Sequence, residues 1–112
     1  MLRAGDVVLV DFPGAHVTKR RPAVVLSTEA YHVSRPDVVL AVLTSNTSLA
    51  NTALDHVLAD WQLANLLKPT AFRPYFVTVE QSAVRAIGRL SERDWLGVRQ
   101  SLQSALEVQV GT

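Results

Sequence analysis

The chain has 112 residues, 48% of them hydrophobic, and its 11 Lys and Arg against 10 Asp and Glu give a formal net charge of +1. This length predicts one domain over residues 1–112, and a nearly neutral charge argues against coating nucleic acid through bulk charge. The sequence has no cysteine, which excludes disulfides and Cys-based metal sites and fits a reducing compartment. Neither a signal peptide nor an apolar run of about 18 residues is evident, so we expect a cytoplasmic protein.

Short β-branched and apolar runs, separated by turn residues, predict a chain built mainly of strands. The predicted elements of the first half are a strand over 6–12, a loop over 13–21, a strand over 22–28, a helical turn over 29–33, a strand over 38–45 and a polar loop over 46–52. Proline lacks an N–H donor, so Pro22 is predicted to begin the second strand. The residue before a proline is held extended, which aligns Arg21 with that strand.

The second half is predicted to add shorter strands and one packed helix. Its elements are a strand over 55–58, a short helix over 61–65 capped by Asp60, a β segment over 70–78, a strand over 84–90 and a helix that ends near residue 108. Pro74 predicts an edge or a bulge in the β segment. Ser91 and Asp94 have the spacing of an N-terminal cap, and an amphipathic pattern follows them. The fold class is therefore mainly β with peripheral helices, as a small antiparallel barrel or sheet.

Three groups of polar residues lie in loops or at strand ends, where functional sites are usually found. They are His16 with Lys19, Arg20 and Arg21; Thr44 with Ser45 and Asn46; and Arg73 with Thr70 and Tyr75. An arginine at a fixed position on a strand can present a rigid guanidinium to a phosphate. Each group also has a simpler interpretation, because exposed charges solubilise a protein and small hydroxyls satisfy backbone groups at strand ends.

The motifs of common enzymes are absent from the sequence. It has no glycine-rich phosphate loop, no His-Glu-x-x-His and no nucleophile elbow, and His32 and His56 lack the spacing of metal ligands. We therefore predict neither a metal site nor a cofactor. The remaining arginine and hydroxyl chemistry suits an RNA phosphodiester, because the substrate's own 2′-OH is then the nucleophile and the protein positions it and stabilises charge.

The order of these motifs resembles the PemK/MazF family of toxin endoribonucleases. The resemblance is carried by Gly5-Asp6 before the first strand, Arg20-Arg21-Pro22 at the second, Leu43-Thr44-Ser45 at the end of the third, then residues 60–61, 66–70, Arg73 and 87–91. It covers nearly the whole chain in the family's order. The resemblance implies an SH3-like antiparallel β-barrel with peripheral helices that acts as a homodimer.

The resemblance also implies an activity and a partner. Family members cleave single-stranded RNA at short sequences without a metal and leave a 2′,3′-cyclic phosphate and a 5′-hydroxyl. A cognate antitoxin with a disordered tail binds over the RNA groove. Two alternatives stay open: a weak or inactive family member, and a toxin that acts only by binding protein or RNA, as gyrase poisons of the same fold do. A structural SH3-like module is a third interpretation, although such modules usually present an aromatic groove.

The family's catalytic positions fall on Arg21, which would stabilise the transition-state phosphate, on Thr44, which would contact the phosphate or move a proton, and on Arg73. The other expected contacts with RNA are His16, Lys19, Arg20, Ser45, Asn46, Thr70 and Tyr75. Some members have an aspartate two residues after the last arginine, where this chain has Tyr75. A phenol is a weak base at neutral pH, so the residue that accepts the 2′-OH proton is open.

Overall fold

The computed structural model describes residues 1–13, 18–50 and 53–108. Within them lie strands β1 (Asp6–Pro13), β2 (Thr18–Val25), β3 (Asp37–Thr44), β4 (His56–Val57), β5 (Ala71–Glu80) and β6 (Val84–Arg89), helices α1 (Glu29–Ser34) and α2 (Glu92–Ala105), and 3₁₀ turns at Thr47–Leu49 and Gln81–Ala83. The strands form one antiparallel sheet in the order β4-β5-β3-β2-β1-β6. This half-barrel with peripheral helices confirms the predicted fold class. In the described part of the chain, neither helix has the length and apolar character needed to cross a membrane.

The second strand begins earlier than the sequence predicts. Residues 18–24 pair continuously with β1, so the predicted loop over 13–21 is wrong for residues 18–21. Pro22 therefore lies inside β2 rather than at its start. Because β3 pairs only with Ala23–Val25, the preceding part of β2 is an edge on that side. An edge tolerates a residue without an N–H donor, which explains how the strand continues through proline.

The sheet buries apolar side chains on both faces. One cluster, which includes Val7, Val24, Leu43 and Phe72, is covered by α2 through Val98. The other cluster consists of Val8, Val10, Ala23, Val25, Val38 and Leu40. Neighbouring residues fall in different clusters because side chains alternate between the faces of a pleated sheet. We call these the helix face and the second face; Trp61 and Trp95 are partly buried against the helix-face cluster.

Alternation along β2 separates two adjacent arginines. Arg21 lies two residues before Ala23 and so shares the second face, whereas Arg20 shares the helix face with Val24. The same rule places Thr44 on the second face, four residues after Leu40 on β3. The strand pleat therefore decides which polar side chains can meet at the end of the sheet.

The sequence predicts an edge or a bulge at Pro74, and the structure has a bulge there in β5. Ala41 of β3 is opposite Phe76 and Leu43 is opposite Phe72, so the three residues between the two phenylalanines stand opposite Val42 alone. Such extra residues bend a strand and redirect its side chains. The bulge consequently places Arg73 and Tyr75 at the end of the sheet where β3 finishes.

The helices agree with the sequence in part. Ser91 caps α2 by accepting the Asp94 backbone N–H at 3.3 Å, as predicted, although α2 ends at Ala105 rather than near residue 108. Residues 61–65 form consecutive turns instead of the predicted short helix. The Asp60 carboxylate accepts hydrogen bonds from Ser91 and Arg93 at 2.6 Å each. The Asp60 side chain, which the sequence predicts as a helix cap, is therefore bound by Ser91 and Arg93 instead.

Candidate functional site

A groove of about 720 Å³ lies where β2, β3 and β5 end on the second face of the sheet. Its polar lining residues are Arg21, Thr44, Asp55, Arg73 and Tyr75. The rest of its lining is apolar and includes Val42, Leu54 and Val77. We call it the arginine groove. All three predicted catalytic residues line it, although they are separated by up to 52 residues in the sequence.

Strand register explains why these residues converge. Ala23 of β2 pairs with Val42 of β3, and continuing that antiparallel register places Arg21 opposite Thr44. Thr44 in turn pairs with Ala71 of β5, two residues before Arg73. Each of the three predicted catalytic side chains therefore comes from a different strand, and a strand holds a side chain more rigidly than a loop would.

The groove contains two guanidinium groups and one buried carboxylate. The Nε atom of Arg73 lies 3.6 Å from the Oδ2 atom of Asp55; 48% of the arginine side chain is exposed, against 4% of the aspartate side chain. Arg21 is exposed, and among the residues that the structure describes its guanidinium has no carboxylate within ion-pair distance. Two arginines that face one cavity can each direct several N–H donors at a phosphate.

The hydroxyl at the end of β3 is partly engaged in the local backbone. The Thr44 Oγ1 atom accepts the backbone N–H of Asn46 at 3.1 Å, and the Asn46 Oδ1 atom accepts the Ser48 hydroxyl at 2.7 Å. Accepting a hydrogen bond leaves the Thr44 hydroxyl proton available to donate. Thr44 can therefore act as an oriented donor towards an anion in the groove.

A second groove, of about 700 Å³, adjoins the first. Its lining is largely apolar, with polar side chains around it; we call it the apolar groove, and it is lined by Leu9, Lys19, Arg20, Arg21, Pro22, Leu43, Ser45, Asn65, Leu66, Leu67, Lys68, Thr70 and Ile87. Arg21 and Leu43 line both grooves, so the two form one continuous surface. Thr70 is buried, and its hydroxyl donates to the Lys68 carbonyl at 2.8 Å.

The charge of Arg20 is balanced by a neighbouring carboxylate. Its Nε atom donates to the Asp11 Oδ1 atom at 2.9 Å, and 61% and 51% of the two side chains are exposed. This hydrogen bond, together with the charges of Arg20 and Arg85, lowers the pKa of Asp11, and the same bond raises the pKa of Arg20. Arg20 is therefore exposed to solvent as one half of an ion pair, unlike Arg21.

The structure brings most of the predicted site together. Arg21, Thr44, Arg73 and Tyr75 line the arginine groove, whereas Lys19, Arg20, Ser45 and Thr70 line the apolar groove. Asn46 is exposed just beyond β3 and lines neither groove. His16 and the last two residues of the predicted 46–52 loop lie outside the described residues.

Sequence reasoning missed Asp55, the carboxylate of the arginine groove. The available signal was an acidic residue immediately before a weak strand pattern. His56 of β4 pairs with Phe72 of β5, and only that pairing brings the preceding Asp55 beside the following Arg73. A two-residue strand gives too weak a sequence pattern to predict such a register.

Comparisons with known proteins agree with this fold and its order of strands. The model of a family described as the PemK-like, MazF-like toxin of type II toxin–antitoxin systems matches residues 3–106. No curated protein sequence matches the chain.

Among solved structures, MazE–MazF from Deinococcus radiodurans superposes with a TM-score of 0.77 at 21% identity, covering 96% of this chain and 98% of that one. An endoribonuclease in complex with its cognate antitoxin from Mycobacterial species gives 0.75 at 17% identity, with 99% and 100% covered. The Mycobacterium tuberculosis toxin MazF-mt6 gives 0.74 at 16% identity, with 94% and 99% covered.

The similarity to these solved structures shows the class of fold, which is the antiparallel half-barrel with a C-terminal helix found in MazF toxins. Because the family model spans nearly the whole sequence, the chain belongs to the PemK-like, MazF-like toxins of type II toxin–antitoxin systems. The resemblance inferred from the sequence motifs is thereby confirmed.

Proposed function

We propose that this protein is a sequence-selective endoribonuclease toxin that cleaves single-stranded RNA without a metal ion. The observation that supports this function is the convergence of Arg21, Thr44 and Arg73, from three different strands, on one groove. Family membership supplies the toxin role, and the arrangement of donors suits a phosphodiester. The proposed site of action is the cytoplasm.

In the proposed reaction the substrate's 2′-hydroxyl loses its proton to solvent, its oxygen attacks the adjacent phosphorus, and the bond from phosphorus to the 5′-oxygen breaks. The products are a 2′,3′-cyclic phosphate and a 5′-hydroxyl. Negative charge develops on the phosphoryl oxygens in the transition state, where the guanidinium groups of Arg21 and Arg73 stabilise it. The Thr44 hydroxyl donates to the same phosphate and orients it for in-line attack.

The leaving 5′-oxygen needs a proton as the bond breaks. Tyr75 follows Arg73 in the bulge, lines the arginine groove and has 68% of its surface exposed. A phenol is protonated at neutral pH and can donate to an alkoxide. In this proposal Tyr75 is therefore an acid rather than the base.

The apolar groove provides a path for the RNA on either side of the scissile phosphate. Lys19, Arg20 and Lys68 supply positive charge around apolar side chains such as Leu66 and Ile87. Single-stranded RNA is bound by grooves that combine cations for the backbone with apolar or aromatic surfaces for unstacked bases. Continuity of the two grooves through Arg21 would let one strand occupy both.

The proposal includes two protein partners. Solved neighbours include a MazE–MazF complex and an endoribonuclease with its cognate antitoxin, which support a cognate antitoxin for this chain. An antitoxin with a disordered tail would cover the two grooves and block RNA. We also propose that the toxin acts as a homodimer.

The test is to incubate the purified protein in EDTA with a long RNA of little secondary structure and to map the new ends. We expect discrete cuts that carry a 2′,3′-cyclic phosphate and a 5′-hydroxyl, and no cuts with Arg21→Ala. Arg99→Ala is the matched control, because Arg99 is an exposed arginine of α2 outside both grooves. Cleavage that needs added metal, or that survives Arg21→Ala in a folded protein, would contradict the mechanism.

The second candidate function is binding without cleavage. It is favoured by Tyr75, since a weak base stands at the position where some family members have an aspartate. A folded wild-type protein that binds this RNA but leaves it intact would support that alternative. Restoring cleavage by Tyr75→Asp would then identify the missing base.

A further inference from the structure

The buried carboxylate beside Arg73 has no role in the reaction as derived above. Asp55 lies immediately before β4, lines the arginine groove and has only 4% of its side chain exposed. Acidic side chains are rarely buried so completely unless they interact with a cation or several donors. A negative charge in a groove that would bind RNA is unfavourable for affinity, which indicates that the carboxylate has another role.

The contact between Asp55 and Arg73 uses one particular atom of the arginine. The Asp55 Oδ2 atom lies 3.6 Å from Nε, the nitrogen closest to the aliphatic stem. About half of the Arg73 side chain, 48%, is exposed, and Arg73 lines the arginine groove. A carboxylate near Nε restricts rotation of the guanidinium while leaving the two terminal nitrogens free to bind a phosphate.

Asp55 is itself held by the elements around it. The next residue, His56, pairs with Phe72 of β5, and its Nε2 atom lies 2.8 Å from the Asp94 Oδ1 atom of α2. The imidazole packs against Gly97 so closely that a Cβ there would overlap the ring. Asp94 is fully buried and also accepts the backbone N–H groups of Ala59 and Asp60. The carboxylate therefore stands on a segment fixed between β5 and α2.

From these contacts we infer that Asp55 is a positioning residue, which orients Arg73 through Nε so that its terminal nitrogens meet the reacting phosphate. The inference rests on the proposed ribonuclease function and adds a residue to it. In this role Asp55 affects the reaction through Arg73 and does not itself bind the reacting phosphate.

The kinetic test is a double-mutant cycle of Asp55→Asn and Arg73→Lys. Asp55→Asn keeps the shape of the side chain and removes its charge, and we expect kcat to fall roughly 10–100-fold because the guanidinium is misplaced. KM should not rise, because Asp55→Asn removes a negative charge from the groove that the RNA would occupy. In the Arg73→Lys background, Asp55→Asn should change kcat by less than about twofold, because the two residues act as a unit.

Asp6→Asn is the matched control. Asp6 pairs with Arg89 at 2.9 Å, with 14% and 44% of the two side chains exposed, and neither residue lines a groove. Its kcat should stay within about twofold of wild type. Multiplicative effects of Asp55→Asn and Arg73→Lys would overturn the positioning role, as would a rise in KM together with a loss of thermal stability.

A measurement on the wild-type protein keeps the inference testable if Asp55→Asn does not fold or if the protein proves not to cleave RNA. The Nε–H group of Arg73 gives a ¹⁵N–¹H signal that can be assigned by its loss in Arg73→Lys. We expect its hydrogen to exchange with water at least about 10-fold more slowly than that of Arg99, because a neighbouring carboxylate protects it. Equal exchange rates would overturn the inference. Absence of cleavage by the wild type would contradict only the proposed function.

Discussion

The two arginines of the arginine groove differ from three ion-paired arginines elsewhere on the surface in how their charges are balanced. On the surface, Arg20, Arg89 and Arg93 each lie 2.6–2.9 Å from a carboxylate. In the groove, Arg73 has a looser ion pair at 3.6 Å, and Arg21 has none among the described residues. A cation that is not already neutralised can give its full charge to a phosphate. We therefore expect the arginines of the arginine groove to matter for cleavage and the ion-paired surface arginines to matter mainly for folding.

The largest effect is expected at Arg21, which lines the arginine groove and has no ion pair among the described residues. Arg21→Ala should lower kcat by ~10²–10³ because a preorganised donor to the transition state is lost. The fold should be unaffected, since the side chain is exposed on an edge of β2. Arg21→Lys should recover only part of the rate, because an ammonium cannot donate as a planar fork. Rates on the mapped RNA site and circular dichroism together check this prediction, and full recovery by lysine would contradict it.

The next largest effect is expected at Asp94, which holds the segment that follows Asp55 of the arginine groove. The fully buried Asp94 carboxylate accepts hydrogen bonds at 2.7–2.8 Å from two backbone N–H groups and contacts the partly buried His56 at 2.8 Å. Asp94→Ala removes the acceptor of these donors and leaves a cavity, and it should lower the free energy of unfolding by about 2–4 kcal/mol. Urea denaturation measures this change. A loss below about 0.5 kcal/mol would show that the loop before α2 rearranges freely.

A smaller effect is expected at the exposed pair of Arg20 and Asp11. Arg20→Ala should weaken RNA binding by less than about fivefold, because Asp11 already balances the charge of Arg20 and exposed ion pairs contribute little. This loss is far smaller than the loss of cleavage rate expected for Arg21→Ala. Asp11→Asn should have the opposite sign and tighten binding slightly by freeing Arg20. Affinities for an uncleavable 2′-O-methyl RNA at two salt concentrations would check both variants. If Arg20→Ala weakened RNA binding as much as Arg21→Ala does, the difference proposed between paired and unpaired arginines would be wrong.

The smallest effect is expected at the ion pair of Asp60 and Arg93, and it should disappear in acid. Hydrogen bonds from Arg93, and then from Ser91, hold the pKa of Asp60 well below its ordinary value. A carboxylate whose pKa is lower in the folded state contributes stability above its unfolded pKa, near 3.8, and loses that contribution as the pH falls further. Arg93→Gln should therefore lower Tm slightly at pH 7, and the difference from wild type should shrink below about pH 4. Thermal melts from pH 7 to pH 2 measure it; a constant difference would contradict the assignment.

Much of this protein can be inferred from the sequence because the information is local. Runs of β-branched residues predict five of the six strands with boundaries close to those observed, and Ser91 and Asp94 predict the start of α2. Pro74 predicts the bulge because proline cannot donate to a central ladder. The motif order predicts the family, which the match over residues 3–106 confirms.

Other features depend on contacts between distant parts of the chain. Residues 18–21, three of which are charged, are predicted as a loop from the sequence, but pairing with β1 makes them part of a strand. That pairing also decides that Arg20 and Arg21 lie on opposite faces, because the pleat alternates. Asp60 was predicted as a cap, but Ser91 and Arg93 are close enough in space to bind its carboxylate instead.

The sequence by itself determined the fold class, the family and the types of residue in the site, since periodicity, capping and motif order are properties of neighbouring residues. Only the tertiary structure decided which charges are neutralised. The register of His56 with Phe72 brings Asp55 to Arg73, and the register of Ala23 with Val42 directs the neighbouring Arg21 and Thr44 to the same groove. Such pairings are set by strand register over distances of about 20 residues, which no local pattern encodes.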